Sequence, residues 1–178
     1  MSENERNPTP DYNFLDPPAH TPTPTPDYSF VDPPAPSTPD NLGHLYVEHT
    51  LLVAAGRKID VLSLRTGKNH PVLQAMATNH AIYQARYGIQ GHQDWDHRVK
   101  ELYRDMPDCG TFSEVANESW PDQDAPAAAD EMYISWRKSP GHWSAVNGVC
   151  SFWGYAMSYN AGKKIWYAAG CFAQLRNA

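Results

Sequence analysis

Residues 149–158 read VCSFWGYAMS and residues 164–173 read KIWYAAGCFA. Both segments are rich in aromatic residues, and Asn160-Ala161-Gly162 forms a turn signal between them. This pattern predicts two antiparallel strands joined as a hairpin. Because helical patterns come before the hairpin, we expect an α+β fold in which helices cover a sheet.

Four helical patterns precede the hairpin. We predict a first helix over residues 44–55, ended by Gly56, and treat residues 57–67 as a connection. For the second helix, Asn69 is the predicted cap and Pro71 lies in the first turn. The second helix is predicted to stop at Gly88. The third is predicted to start near Asp94 and to end just before Pro107. The fourth is predicted to run from about Ala125 to Lys138, with Pro140-Gly141 ending it. Spacings of three and four predict buried stripes in the second helix (Leu73, Met76, His80, Tyr83, Tyr87) and the third (Trp95, Val99, Leu102, Met106).

The first 40 residues differ in composition from the rest. They hold eleven of the sixteen prolines, seven of the twenty acidic residues and one of the fourteen basic residues, so they account for the whole formal charge of −6. Residues 8–19 (PTPDYNFLDPPA) recur at residues 24–35 (PTPDYSFVDPPA) with ten of twelve positions identical. We therefore predict a disordered Pro-rich tail over residues 1–41 and a folded domain over residues 42–178. The repeats are either a spacer or two docking peptides for a protein partner, presenting Tyr12, Phe14, Tyr28 and Phe30.

Charge and hydropathy exclude several function classes. A neutral domain with an acidic tail argues against a nucleic-acid partner. No apolar run is long enough to predict a membrane span. The N-terminus lacks the basic start and apolar run of a secretory signal peptide, so the protein stays in the cell, leaves by another route, or has a leader outside this sequence.

Three cysteines are too few for a disulfide scaffold. A hairpin turn at residues 160–163 would place Cys150 and Cys171 nearly opposite each other, close enough for a disulfide in an oxidising compartment. Cys109 would then remain a free thiol.

Three short motifs carry the candidate chemistry. They are Gly91-His92 followed by Arg98, then Phe112-Ser113-Glu114, then the run from Trp136 to His142, WRKSPGH. Taken singly, a His or Glu is more often structural than a ligand. Their order, with a closing hairpin, resembles the CAP superfamily, which includes the cysteine-rich secretory, antigen 5 and pathogenesis-related proteins, and the likeness is closest to its short bacterial form.

The resemblance covers roughly residues 45–175. The W-x-x-S-P-G-H element is matched in full, and the A-x-x-H helix by Ala77 to His80. The G-E-N-I-A element is matched in part by residues 113–116, and the closing strand loosely by residues 166–172. The resemblance implies an α-β-α sandwich of the CAP type with a surface cleft.

In that cleft the resemblance implies that His92, Glu114 and His142 converge. They could hold zinc or another divalent metal as a three-ligand site. The fourth ligand, a Glu in the long form of the family, falls here on Ser139, and neither Glu118 nor Glu131 stands at the matching position. The alternative is a metal-free cluster in which both histidines hydrogen-bond to Glu114.

The resemblance favours a secreted or cell-surface binding module that takes a small-molecule, lipid or peptide ligand in the cleft. A metal-dependent, peptidase-like hydrolase using the same cleft is the alternative function. Other catalytic pairs are poorly supported, because Ser139 and Ser144 lie too near His142 in sequence and acidic neighbours disfavour a Cys109 thiolate. The aromatic residues of the last third either form the core or line the cleft.

Overall fold

The computed structural model describes residues 46–176, where six helices and five strands follow in mixed order. The elements are β1 (Val47–Glu48), α1 (Thr50–Lys58), α2 (Leu62–Thr66), β2 (Lys68–Asn69), α3 (Pro71–Tyr87), α4 (Trp95–Asp105), β3 (Cys109–Glu118), α5 (Ala125–Lys138), α6 (Pro140–Val146), β4 (Phe152–Asn160) and β5 (Ile165–Leu175). The predicted α+β class is confirmed. The tail predicted over residues 1–41, with its repeats, lies outside the described residues.

The sheet is built around the predicted hairpin. Its strands run β1-β4-β5-β3 with antiparallel neighbours, and β2 pairs in parallel with the start of β4. The hairpin is therefore confirmed, while the ten-residue strand β3 was not predicted. β3 lies at the edge of the sheet and carries Glu114.

The hairpin register differs from the prediction. Asn160 pairs with Ile165, so the turn comprises residues 161–164, one position later than predicted, and Cys171 lies opposite Gly154. Cys150 precedes β4, and all three cysteines are free thiols. The prediction that Cys150 and Cys171 face each other is wrong, and with it the geometric basis for their disulfide.

The helix termini follow local chemistry. α3 begins at Pro71 and ends at Gly88, whose φ of 63° is left-handed and suits glycine. Its cap is His70 rather than Asn69, because Nδ1 of His70 accepts a hydrogen bond from the amide of Val72. α4 and α5 match the predicted ranges closely, and the predicted stop at Pro140 is the first residue of α6.

The first predicted helix is displaced along the chain. Val47 and Glu48 pair with β4, and the Glu48 carboxylate accepts hydrogen bonds from the amides of Thr50 and Leu51, so α1 begins at Thr50. Gly56 lies within α1 and does not end it. A Cβ there would come within 2.4 Å of the Tyr133 hydroxyl, so this glycine permits close packing against α5.

Helices pack on both faces of the sheet. One buried cluster, the aromatic face, joins α1, α5 and α6 to the sheet through large rings such as Trp136, Tyr155 and Phe172. The other, the alanine face, joins α3 and α4 to the sheet and has no buried Phe, Tyr or Trp among its described members; it contains Leu73, Ala77, Ala81, Leu102, Met106, Cys109, Ala156, Ala169, Cys171 and Ala173.

The buried stripe of α3 differs from the prediction. Met76 and Tyr83 are only partly buried and Tyr87 is exposed, whereas Ala77 and Gln84 are buried. The reason is the close approach of α3 to β4: a Cβ on Gly154 would lie 2.3 Å from the backbone of Leu73. Small residues therefore form the contact. Within the described residues no helix is long and apolar enough to span a membrane.

Candidate functional site

Glu114 forms the centre of a polar cluster at the edge of the sheet. It lies in β3 opposite Cys171, on the alanine face, and its side chain is fully buried. Arg98, on the first turns of α4, donates to both carboxylate oxygens, with 2.9 Å between Nη2 and Oε1. Because both oxygens are engaged by one guanidinium, the carboxylate is held in a fixed orientation.

His92 lies beside this ion pair, in the loop between α3 and α4. Its Nδ1 donates to Oε1 of Glu114 at 2.9 Å, and its side chain is 43% exposed. Gly91 has a φ of 144°, which favours glycine, and its amide donates to the Gln84 side chain at 3.1 Å. The loop is therefore anchored directly before His92. In the neutral imidazole, Nδ1 keeps the proton that it donates to the carboxylate, so Nε2 carries the lone pair.

His80 is a site residue that the sequence predicted in a helix stripe and in the A-x-x-H element, but not in the cleft. It is buried in α3, with Nε2 at 2.7 Å from the Gly91 carbonyl and 3.5 Å from Oε1 of Glu114. His80 thus contacts the loop of His92 and the carboxylate together. A buried polar residue in an otherwise apolar helix stripe is the signal that could have identified it.

His142 approaches the cluster from the other face of the sheet. Its ring centroid lies 6.0 Å from that of His92. Trp136 positions it: the indole is fully buried in α5 and donates to the Ala116 carbonyl of β3 at 3.4 Å, and the chain turns at Ser139 into α6. Within residues 46–176 the structure shows no hydrogen bond to His142. Of the three residues expected in the cleft, His92 thus hydrogen-bonds to Glu114 and lies near the ring of His142.

The electrostatics follow from burial and pairing. Burial would raise the pKa of the Glu114 carboxyl, but hydrogen bonds from His92 and Arg98 outweigh it and the pKa is lowered. Burial lowers the pKa of His80, and the positive charge of Arg98 adds to this effect while Glu114 opposes it. Burial, then the proximity of His92, lowers the pKa of His142. At neutral pH the cluster therefore holds one cancelling ion pair and neutral imidazoles at His80 and His142.

The cluster does not fit a metal ion. The Glu114 carboxylate already accepts from Arg98 and His92, and a cation bound to it would lie beside the guanidinium. In the part of the chain that the structure describes, no group of three or more His, Cys, Asp or Glu side chains could hold a metal ion. Neither suggested substitute brings in a fourth ligand: Glu118 is exposed at the end of β3, opposite Tyr167, and Glu131 lies in α5.

An aromatic pair borders the exposed edge of His92. Trp95 and Phe112 stack with ring centroids 5.1 Å apart, and Trp95 meets the His92 ring edge to face at 6.1 Å. Both rings are only partly buried. We refer to this group of neighbouring side chains as the cleft: His92, Trp95, Phe112 and His142, with Glu114 beside His92. Most other aromatic residues of the last third are core.

Comparison with known proteins gives a structural likeness but no family match. No protein-family model matches the sequence, and no curated protein matches it. Among solved structures, the fold is similar to that of an outer surface protein from Borrelia burgdorferi, with a TM-score of 0.52 and 12% identity. That match covers 71% of this chain and 89% of the other, and at this identity it establishes a shared fold alone.

Proposed function

We propose that residues 46–176 form a ligand-binding domain of the CAP type, with an α-β-α sandwich and a cleft at the edge strand β3. Two features support the assignment to this family. The W-x-x-S-P-G-H element forms the α5–α6 corner that directs His142 towards His92. The Gly91-His92 and Glu114 positions meet on the same strand edge, which is the convergence that the resemblance implies.

The observation that carries the binding function is the fixed tautomer of His92. Glu114, itself held by Arg98, accepts the hydrogen bond from Nδ1, so Nε2 of the neutral imidazole is an acceptor on the other side of the ring. His142 stands 6.0 Å away with no hydrogen bond among the described residues. Two imidazole edges are thus available to a ligand, next to the partly buried rings of Trp95 and Phe112.

The chemistry of the cleft indicates the class of ligand. The Arg98–Glu114 pair leaves no net charge beneath the cleft, so strong attraction for an ion is not expected at neutral pH. A small uncharged molecule or peptide with a hydroxyl or amide donor for His92 and a flat apolar group for Trp95 and Phe112 fits these surfaces. A metal-dependent hydrolase is not favoured, because Glu114 is committed to Arg98 and His92.

Fragment binding followed by ¹H–¹⁵N NMR tests this proposal. Benzyl alcohol, benzamide and N-acetyltyrosinamide are suitable probes because each combines a ring with an uncharged donor. We expect shifts centred on His92, Trp95 and His142, and about tenfold weaker binding in His92→Ala, the loss expected for one buried hydrogen bond. His97→Ala is the matched control, since His97 is exposed on α4 outside the cleft.

Two results would overturn the proposal. One is fragment binding that maps away from the cleft and is equal in the wild type, His92→Ala and His97→Ala. The other is stoichiometric zinc retained through dialysis and lost in both His92→Ala and His142→Ala, which would restore the metal site.

A further inference from the structure

A second cavity lies away from the cleft, between α1 and the start of α3. Its volume is about 680 Å³, within the range of small-molecule pockets. Thr50, Val53, Ala54 and Arg57 of α1 line one side. These positions recur at spacings of three and four, so they form one face of the helix, while Leu52, Ala55 and Gly56 are buried on the other side. We call this cavity the α1 groove.

The α1 groove has a rigid apolar part. Trp153 contributes to its lining and is 6% exposed, and its indole Nε1 donates to the Gly67 carbonyl at 3.1 Å. That hydrogen bond fixes the plane of the ring. With Val53 and Ala54 it offers an apolar surface whose shape does not depend on a flexible side chain.

The polar part of the α1 groove is a pre-formed network. The Gln74 side chain donates to the Tyr155 carbonyl at 2.8 Å and lies 2.7 Å from Nδ1 of His49, and its Oε1 accepts from Asn69 at 2.8 Å. Nδ1 of His49 also lies 3.3 Å from the Tyr155 carbonyl, so this imidazole belongs to the same network. Asn69 keeps its side-chain oxygen as an acceptor.

Arg57 gives the α1 groove a positive charge that forms no ion pair with any of residues 46–176. Nearby cations are paired: Lys58 with Asp130 at 3.1 Å and Arg65 with Asp60 at 2.8 Å. Arg57 has no ion pair and no hydrogen bond from its side chain within residues 46–176. The neighbouring carboxylate, Glu48, is engaged in capping α1 and does not line the groove. Among residues 46–176, therefore, no acidic side chain of the groove lining competes with an anion for Arg57.

We propose that the α1 groove binds a small organic carboxylate with an aromatic or aliphatic body. The carboxylate pairs with the Arg57 guanidinium, and the body packs on Val53, Ala54 and the Trp153 ring. This site is separate from the cleft of His92 and His142 and does not depend on the function proposed for that cleft.

The test compares an acid with its neutral counterpart. 4-Phenylbutyrate and 4-phenylbutyramide have the same body and differ in charge. NMR titration of the whole chain should give shifts at Val53, Arg57 and the Trp153 indole, with the acid binding at least about tenfold more tightly than the amide. Arg57→Gln should bring the acid down to the affinity of the amide. Arg65→Gln is the matched control, because Arg65 is exposed and lies outside the groove.

A variant that fills the α1 groove with a larger side chain tests the site without changing the charge of the protein. Ala54 is exposed on α1, so Ala54→Trp is tolerated by the fold and should block both probes. Equal affinities for acid and amide, an unchanged affinity in Arg57→Gln, shifts confined to His92 and His142, or no saturable binding would each overturn the proposal.

Discussion

The two faces of the sheet bury very different side chains. The aromatic face packs Trp136, Tyr155 and Phe172 between the sheet and the α1, α5 and α6 layer. On the alanine face, Ala77 and Ala81 of α3 meet Ala156 and Ala169 of the sheet. Large rings bury more apolar area, so the aromatic face supplies most of the stability, whereas small residues let α3 approach closely enough for His80 to reach the Glu114 carboxylate.

Both faces contribute to the cleft because β3 is an edge strand. The loop of His92 comes from the helices on the alanine face, and His142 comes from α6 on the aromatic face. The two histidines meet around the edge, above a carboxylate that points to the alanine face. Successive residues of β3 point to opposite faces of the sheet. Val115 therefore packs in the aromatic face, while the neighbouring Glu114 carboxylate lies on the alanine face.

Trp136→Ala is expected to have the largest effect on stability. It removes a fully buried indole from the aromatic face and should lower the free energy of unfolding by about 4 kcal/mol. Trp120→Ala is the matched control, because Trp120 is 68% exposed and its removal should cost less than about 0.5 kcal/mol. Urea denaturation measures both. If both variants lost the same free energy of unfolding, the conclusion that the aromatic face supplies most of the stability would be wrong.

Glu114→Gln tests whether the alanine face depends on its ion pair. The change leaves the Arg98 guanidinium, whose side chain is 13% exposed, without a charged partner and should cost about 3 kcal/mol. Glu118→Gln, on the exposed end of the same strand, should cost less than about 0.5 kcal/mol.

The double variant Arg98→Met/Glu114→Gln distinguishes the unpaired charge from lost packing. If the unpaired guanidinium is the cause, the double variant is more stable than Glu114→Gln alone. The explanation would be contradicted if the double variant lost as much free energy of unfolding as the Arg98→Met and Glu114→Gln single variants together.

Local patterns sufficed for the hairpin and for the stop at Gly88, whereas the proximity of His92, Glu114 and His142 was implied only by the family resemblance. Local patterns failed where distant segments decide the outcome. Arg98 appeared only as a neighbour of His92, because its pairing with Glu114 joins α4 to β3 across the fold. The stripe of α3 was misassigned because Gly154, far along the chain, selects small residues as the contact.

The pH dependence of stability should report on His80, which is buried in α3 on the alanine face. Its pKa is lowered by burial, so the unfolded chain binds the proton more readily than the folded one. Stability should therefore be full above the unfolded pKa of 6.5 and fall as the pH drops below it, by no more than about 1.4 kcal/mol per pH unit for one proton. Between pH 6.5 and 5 this loss precedes protonation of Glu114, whose pKa is below 4.5.

His80→Gln is the informative variant for this titration. Its amide can still donate to the Gly91 carbonyl but does not take up a proton, so the slope between pH 6.5 and 5 should become smaller. A residual slope is expected from His142, whose pKa is also lowered. His97→Gln, at an exposed position, should leave the profile unchanged. An unaltered slope in His80→Gln would show that another group senses the acid.

Reductant should have the smallest effect on stability of the changes considered. The number of free thiols tests directly whether Cys150 and Cys171 lie on opposite faces of the sheet. Cys150 is buried in the aromatic face and Cys171 in the alanine face, so the sheet itself lies between them. Burial raises the pKa of Cys150 to about 11 and that of Cys171 further above its usual value, so neither forms a reactive thiolate at neutral pH. We expect three free thiols per chain under denaturing, non-reducing conditions, slow labelling in the native state, and the same melting temperature with and without reductant. A count of one thiol, mapped to Cys109, with the melting temperature lowered by reductant, would require Cys150 and Cys171 to meet and would contradict both the hairpin register and the two-faced core.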